Sequence, residues 1–383
     1  MSSPIPIRNI YFLLCYAWNR LEEGEITNVS GIDSSELADL FATVLISGVR
    51  HLLRRGLGRG YESFEEDLTT LRGRVMVAES GRRMMTIHGR ARCEFDELTI
   101  NTWPNRVIKA TMRHLSGAPT LDEDLRGQLL NLSRELKGVD PIPLNRLAFR
   151  SVQLHSNARF YRFLLNICEL VVSSWLVDEQ TGTYKFRDFL RDEKRMARVF
   201  ESFVFNLVRL QRPSLDVRKE RIPWAATKSG DSSLRYLPTM ETDISVRNPL
   251  RTLVIDAKYY QETLTRYFDT ERVRSDNLYQ IFAYLKNLEV HGGQDATAAG
   301  MLLYPTVDQS LRLEYHILGH NIFVCTLNLN QEWQGLRDDL LRLVDLGLQA
   351  QNGLAENNRH SPIRASGQPG VATSEKAQAG PRS

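Results

Sequence analysis

Apolar residues recur at every third or fourth position along most of this chain, which is the spacing of helices that bury one face. The pattern predicts helices over residues 10–21, 37–52, 105–115, 121–136, 156–176, 193–210, 276–288 and 333–348. Gly56, Gly58 and Gly60 follow the second of these segments. We expect them to end its helix, because glycine is a common residue at the end of a helix.

Shorter apolar runs predict strands in two parts of the chain. Between residues 61 and 103 the runs are brief and mixed with glycine and arginine, which predicts a small β-rich module. Pieces of strand are expected there at Val75 and Val77, at Met85 and Ile87, and at Phe95. In the second half the predicted strands cover residues 239–246, 252–259, 300–304, 311–317 and 322–327. Helices and strands in this order are typical of an α/β layered fold.

The chain of 383 residues is long for a single hydrophobic core. Two prolines, Pro141 and Pro143, interrupt it between helical segments, so we place a domain boundary there. The predicted organisation is an N-terminal mixed helical and β-rich domain over 1–150, an α/β domain over 151–350, and a tail over 351–383. We expect the tail to be disordered, because it has too few large apolar side chains to offset its ordering entropy.

Composition narrows the functional classes. Forty-nine Lys and Arg face 46 Asp and Glu, a net charge of +3, which excludes a polybasic protein that coats DNA but allows a local basic groove. The four cysteines are far apart and lack C-x-x-C spacing, which argues against a zinc ribbon, a thioredoxin site or a disulfide framework. No run of about 18 apolar residues occurs, so we expect no membrane span and a cytoplasmic protein.

The segment with the most chemical information covers residues 239–260, TMETDISVRNPLRTLVIDAKYY. Its two strand-like runs flank residues 248–251, a favourable four-residue turn with proline at its second position. We therefore expect an antiparallel hairpin in which Arg247 and Thr252 close the loop.

This register brings several charged residues together. It places Asp243 opposite Asp256, and Glu241 opposite Lys258. Directly opposed residues share a face of the sheet, as do residues two apart on one strand. One side of the hairpin is therefore expected to gather three carboxylates and a lysine, unless a one-residue bulge changes the register.

Opposed carboxylates repel each other and so imply a compensating cation. Oxygen ligands of this kind suit Mg²⁺, and a neighbouring lysine can orient or help to deprotonate an attacking water. The alternative is a solvated hairpin face whose charges pair across the strands. The apolar run around Asp256, LVIDAKYY, favours a site, because a carboxylate without a role is costly in a buried strand.

Two predicted helices supply further candidates. Glu201 lies at the flank of the apolar face of its helix, where it can reach a metal, although the pattern fits an exposed helical glutamate equally well. Gln280 and Tyr284 are four residues apart on one helix face, from which they can jointly reach a phosphate or a site residue. Incidental polar groups on an amphipathic helix are the alternative for this pair.

The order of these residues resembles that of the PD-(D/E)xK nucleases. The resemblance is carried by Glu201, Asp243, Asp256, Ala257, Lys258, Gln280 and Tyr284. More narrowly, the segments IPIRNIYFLLCYAW, CEFDELTINTWPNRVIKATMRHL and TDI…VIDAKYY resemble the McrC family, the nuclease subunits of McrBC modification-dependent restriction systems. The likeness covers roughly residues 4–348. In one departure from the motif, Thr242 rather than proline precedes the first aspartate.

The resemblance implies a fold and an activity. Residues 151–350 are expected to form a PD-(D/E)xK nuclease-like α/β domain, and residues 1–150 to dock on a McrB-like AAA+ GTPase hexamer. The implied activity is Mg²⁺-dependent endonucleolytic cleavage of methylated double-stranded DNA, which the partner delivers and whose GTP hydrolysis this chain stimulates. No G-x-x-x-x-G-K-[ST] motif occurs in the chain, so the partner is expected to bind the GTP.

The resemblance also implies a role for each site residue. Asp243, Asp256 and Glu201 are expected to ligate the metal, with the Ala257 carbonyl as a further ligand. Lys258 is expected to position the attacking water. The expected catalytic set is completed by Gln280 and Tyr284.

Two other hypotheses remain open. In the first, the protein is mainly a regulatory subunit that activates the GTPase, with a weak or unused nuclease site. In the second, it is a RecB-like exonuclease that acts alone, although nothing in the N-terminal half explains how it would grip a DNA end. Intact carboxylates and an intact lysine favour the endonuclease, because a decayed site should have lost at least one of them.

Overall fold

The computed structural model describes residues 5–25, 36–82, 89–150, 158–177, 184–186, 190, 192–227, 234–260, 273–307 and 310–349. The predicted tail over 351–383 lies outside these ranges. The helices are α1 (Ile7–Ala17), α2 (Leu21–Glu25), α3 (Leu37–Arg55), α4 (Val77–Arg82), α5 (Trp103–Leu115), α6 (Glu123–Glu135), α7 (Arg146–Arg150), α8 (Arg159–Ser173), α9 (Glu193–Gln211), α10 (Ser275–Glu289) and α11 (Trp333–Leu348).

The strands confirm the predicted α/β class. They are β1 (Gly60–Leu68), β2 (Arg74–Val75), β3 (Ala91–Thr99), β4 (Trp175–Val177), β5 (Tyr184–Phe186), β6 (Asp216–Arg218), β7 (Arg221–Ile222), β8 (Met240–Glu241), β9 (Ile244–Arg247), β10 (Thr252–Ala257), β11 (Ala299–Thr306), β12 (Arg312–Ile317) and β13 (His320–Asn328).

Each helix predicted from periodicity is present, with small shifts at its ends. The first is divided, because α1 ends at Ala17 and α2 begins at Leu21. The predicted end of α3 is confirmed: Gly56 follows the helix with a φ of +91°, a conformation that favours glycine.

The β-rich module is a small antiparallel sheet in the order β1-β3-β2. Its own core is small and centres on Cys93 and Phe95, with Phe64 packed against them. Val77, which we expected in a strand, begins α4 instead. The predicted strand piece over 83–88 lies outside the described residues.

A larger sheet forms the centre of the second half. Within the described ranges it has six strands in the order β12-β13-β11-β10-β9-β6. Strand β11 runs parallel to both β10 and β13, and the other neighbouring strands are antiparallel. Strands β10 and β11 are buried along their whole length, as expected of strands covered on both faces.

Helices cover both faces of this sheet. Leu253 and Ile255 of β10 pack into the core that also contains residues of α9 and α11. Val254, between them, points to the opposite face and packs with Ile281 of α10. By the same alternation, Asp256 shares the face of Val254 and therefore points toward α10.

The N-terminal helix packs against the second half of the chain. The Phe12 ring stacks on Trp333 with centroids 4.6 Å apart, and Tyr16 meets Phe203 edge-on. The buried Asn9 amide donates hydrogen bonds to the carbonyls of Leu329 and Gln331 at 2.8 and 2.7 Å. Helix α1 thus belongs to the helical layer behind the large sheet, and the division of the chain at residue 150 remains a prediction.

In the described part of the chain, no helix combines the length and the apolar character that a membrane span requires.

Candidate active site

The hairpin of β9 and β10 has the register expected from its turn. Arg247 lies opposite Thr252, and the ladder continues to Ile244 opposite Ile255. Asp243 stands just beyond the end of this ladder. Its Oδ2 accepts a hydrogen bond of 3.0 Å from the backbone N–H of Ala257.

A bulge turns Asp243 away from its strand neighbours. Arg218 of β6 pairs with Ser245 of β9, whereas Arg221 of β7 pairs with Glu241 of β8. Two residues on one side therefore oppose three on the other, over 242–244. Bulges of this kind redirect a side chain and are common next to active sites.

The bulge also explains one incorrect expectation. Glu241 was expected to face Lys258, but its Oε2 lies 3.9 Å from Arg221 Nε and its side chain is 56% exposed. Because the extra residue breaks the two-residue alternation, Glu241 no longer shares a face with Asp243. Only its backbone carbonyl takes part in the site, as described below.

The loop before Asp243 is held by a buried framework. The Thr242 N–H donates to the Glu220 carbonyl at 2.9 Å, and the Glu220 N–H donates to Thr242 Oγ1 at 3.2 Å. The Glu220 carboxylate accepts a bond of 2.7 Å from Arg247, whose side chain is 5% exposed and also pairs with Asp295. This framework fixes the direction in which the chain enters the bulge.

Two aspartates lie close together, Asp256 buried and Asp243 partly buried. Asp256 is 1% exposed, and burial raises the pKa of its carboxyl group. The pKa of Asp243 is raised to about 7, first by burial and then by the charges of Asp256 and Glu201. Both shifts mean that the fold holds the two negative charges at a cost in free energy.

Lys258 is the cation nearest to this pair. Its Nζ lies 3.0 Å from Asp256 Oδ1. Burial alone would lower the pKa of Lys258, but the charges of Asp256 and Asp243 outweigh it and raise the pKa above its ordinary value. Neither carboxylate oxygen of Asp256 has a well-aligned hydrogen bond from any described residue.

Gln280 and Tyr284 reach the site from α10, as their four-residue spacing suggested. Gln280 Oε1 lies 3.1 Å from Lys258 Nζ, and its Nε2 donates to the Tyr284 hydroxyl at 2.8 Å. That hydroxyl donates to the Glu241 backbone carbonyl at 2.9 Å. A continuous chain of hydrogen bonds therefore runs from Lys258 to the strand before the bulge and fixes the lysine head group.

Glu201 lies on α9 with a side chain that is 23% exposed. Its charge contributes to the raised pKa of Asp243, which puts it within electrostatic reach of the aspartates. Its carboxylate is engaged in an ion pair with Lys219 Nζ. In the described part of the chain, no three Asp, Glu, His or Cys side chains are grouped as they stand to hold a metal ion.

Lys219 was not among the site residues predicted from the sequence. It lies in the charged run DVRKER, which has no periodic apolar pattern to show its direction. Only the pairing of β6 with β9 brings it beside the site. Ala257, whose carbonyl was expected to contact a metal, ends β10 directly before Lys258, and its N–H holds Asp243.

The donor set fits a hard divalent cation. The partly buried Asp243 and the buried Asp256 repel each other, and Lys258 is the one cation that the described residues place in an ion pair with Asp256. A cation between the two carboxylates would remove the repulsion and coordinate their oxygens. Oxygen donors without cysteine or histidine favour Mg²⁺ over Zn²⁺.

The sequence is similar to known proteins over most of its length. Residues 8–305 match the family described as McrBC 5-methylcytosine restriction system component. The chain belongs to this McrBC family. A relative in the family is the type IV methyl-directed restriction enzyme EcoKMcrBC of Escherichia coli K12, which is 35% identical over 346 residues, or 90% of this chain and 99% of the relative.

A solved structure related to the McrBC family shares the fold. It is the Thermococcus gammatolerans assembly of McrB AAA+ hexamers with bound McrC, whose matching chain aligns with a TM-score of 0.56 at 16% identity. The alignment covers 89% of this chain and 76% of that one.

Proposed function

We propose that this protein is the DNA endonuclease subunit of a methylcytosine-specific restriction complex and uses a PD-(D/E)xK site with Mg²⁺. The observation that carries the proposal is the pair formed by the partly buried Asp243 and the buried Asp256 at the end of a hairpin, with Lys258 3.0 Å from Asp256. A fold does not gather repelling carboxylates at this cost without a compensating ligand. Membership of the McrBC family supports the choice of DNA as the substrate.

The reaction proposed is hydrolysis of a DNA phosphodiester. A water oxygen forms a bond to phosphorus as the bond to the leaving sugar oxygen breaks, the water loses a proton to solvent, and the leaving oxygen takes up a proton from solvent. Asp243 and Asp256 would hold the metal, with Glu201 and the Ala257 carbonyl as further ligands. When bound, Mg²⁺ supplies positive charge that stabilises the charge developing on the phosphate oxygens.

Lys258 acts on the attacking water. Its ammonium group donates to the water oxygen and keeps it in line with the phosphorus, while Gln280 and Tyr284 hold the lysine in place through the hydrogen-bond chain. A fixed donor of this kind lowers the barrier because no side chain must reorganise when the reaction occurs.

The proposed partner is a McrB-like AAA+ GTPase hexamer. The chain carries no phosphate-binding loop of its own, so GTP hydrolysis and DNA delivery are assigned to that partner, and the stimulation of GTP hydrolysis to contacts made by residues 1–150. Methylated double-stranded DNA is the proposed substrate, because the family takes its description from 5-methylcytosine restriction.

The test is cleavage of methylated and unmethylated plasmid by the purified chain in Mg²⁺, with and without the GTPase and GTP. We expect cleavage of methylated DNA only, and only when partner and GTP are both present. Cleavage by the chain alone would contradict the assigned dependence on the partner. Stimulated GTP hydrolysis without any cleavage would instead identify a regulatory subunit.

A further inference from the structure

A second lysine stands at the site without a role in the mechanism above. Lys219 pairs with Glu201, and its side chain remains 40% exposed. It is placed by the backbone of the next residue, Glu220, which is tied to Thr242 by hydrogen bonds in both directions. Lys219 is therefore attached to the framework that positions Asp243.

The ion pair between Glu201 and Lys219 affects whether Glu201 can bind a metal. Glu201 is near enough to raise the pKa of Asp243, yet its carboxylate is directed to the lysine and not into a group with the two aspartates. For Glu201 to become the third ligand of a cation, Lys219 must give up this contact. An ion pair in which both partners are partly exposed is weak enough to exchange.

The formal charges of the site indicate when Lys219 should leave Glu201 and contact a phosphate. Counted as fully ionised, Glu201, Asp243 and Asp256 supply three negative charges, and Lys219 and Lys258 supply two positive ones, so these five side chains sum to −1, which disfavours a phosphate among them. A divalent cation changes the balance to +1. The head group of Lys219 is then released beside a site that has become attractive to phosphate.

We infer that Lys219 is a substrate-binding cation that exchanges partners. It neutralises Glu201 in the metal-free protein, and after metal binding it contacts a phosphate of the DNA strand being cut. The inference rests on the proposed function and adds one property to it. The site binds the DNA phosphate through Lys219 only when the metal is bound. Lysine is suited to this because its single charge is carried on a long, flexible side chain.

The first experiment measures Ca²⁺ binding to the full chain by isothermal titration calorimetry. We expect Lys219→Ala to bind Ca²⁺ about threefold more tightly than the wild-type protein, because Glu201 no longer has to leave a lysine. A lysine whose only role is to hold Glu201 in position would have the opposite effect, since its loss would weaken Ca²⁺ binding. Tighter binding therefore separates an exchanging cation from a structural ion pair.

The second experiment measures cleavage of methylated plasmid in the assembled complex at saturating Mg²⁺ and several salt concentrations. Lys219→Ala should cleave about tenfold more slowly when DNA is limiting, because one charge-assisted phosphate contact is lost. The slope of log rate against log salt should decrease by about one. Lys219→Arg keeps the charge and should restore most of the cleavage.

The matched control is Lys286→Ala. Lys286 forms a similar half-exposed ion pair with Glu289 on α10, outside the site. Its removal should change neither Ca²⁺ affinity nor cleavage. If Lys219→Ala weakens Ca²⁺ binding, or leaves cleavage unchanged, the inference is wrong.

A variant of the central pair distinguishes failure of this inference from failure of the proposed function. Asp256→Asn should abolish both Ca²⁺ binding and cleavage. If Asp256→Asn does so while Lys219→Ala behaves as the wild-type protein, only the exchange is refuted. If Asp256→Asn binds Ca²⁺ and cleaves normally, the proposed function itself is refuted.

Discussion

Asp243 shows at the scale of one residue how the fold holds a carboxylate at the expense of stability. Its pKa is raised from 3.8 to about 7, first because the carboxyl group is buried and then because Asp256 and Glu201 are near. The folded protein therefore binds the Asp243 proton more tightly than the unfolded chain does. Between these two pKa values stability decreases as the pH rises, and above about 7 the full cost is present.

Asp243→Asn should remove this cost. The asparagine side-chain oxygen can still accept the Ala257 hydrogen bond, so in EDTA near pH 8 we expect the variant to be more stable than the wild-type protein by about 2 kcal/mol. The gain should vanish near pH 3, where the wild-type carboxyl group is protonated in the folded state and mostly protonated in the unfolded state as well.

Urea denaturation at both pH values measures this difference. Asp338→Asn, in which the replaced side chain is 50% exposed, serves as the control and should show no such pH dependence. Added Mg²⁺ should stabilise the wild-type protein and leave Asp243→Asn unchanged. Equal stability of the two proteins near pH 8 would show that Asp243 is not under electrostatic strain.

At the scale of elements, the sequence predicted the hairpin but not its surroundings. The turn at 248–251 set the register correctly, because proline and asparagine have strong local preferences there. The bulge at 242–244 could not be predicted, since it depends on pairing with β6 and β7, short strands without apolar alternation. Lys219 was missed for the same reason.

The stability of the sheet edge at β6 and β9 depends on Arg247. This side chain is 5% exposed and pairs with Glu220 and Asp295, which are themselves 17% and 14% exposed. Arg247→Ala would remove the shortest ion pair of each largely buried carboxylate. Among the described residues, only longer contacts with basic side chains would then remain, from Arg218 to Glu220 at 3.7 Å and from His291 to Asp295 at 3.8 Å. We expect a loss of about 3 kcal/mol in the free energy of unfolding, measured by urea denaturation.

The Arg247→Ala variant should also lose cleavage beyond what its stability explains, because Glu220 holds the loop that carries Asp243. Arg221→Ala is the control at the same edge. Arg221 is 78% exposed, and its loss should change stability by less than about 0.5 kcal/mol. Equal effects of the two substitutions would contradict the role given to the buried framework.

At the scale of the whole molecule, the N-terminal helix contacts residues from the second half of the chain. Prolines and a change of pattern favoured a boundary near residue 150, yet α1 stacks Phe12 on Trp333 and bonds through Asn9 to the loop after β13. Local patterns predicted the helices and strands well because periodicity is a local property. Local patterns could not predict which distant surfaces meet, because an apolar stripe on one helix does not indicate which other helix it packs against.

The most direct test of the account uses the assembled complex and two readouts. Asp256→Asn, in the presence of the McrB-like partner, GTP, Mg²⁺ and methylated plasmid, should stop DNA cleavage while GTP hydrolysis is still stimulated to the wild-type level. This result would separate the site of hydrolysis from the contacts that activate the partner. Retained cleavage by Asp256→Asn would contradict the assignment of the nuclease site to this hairpin.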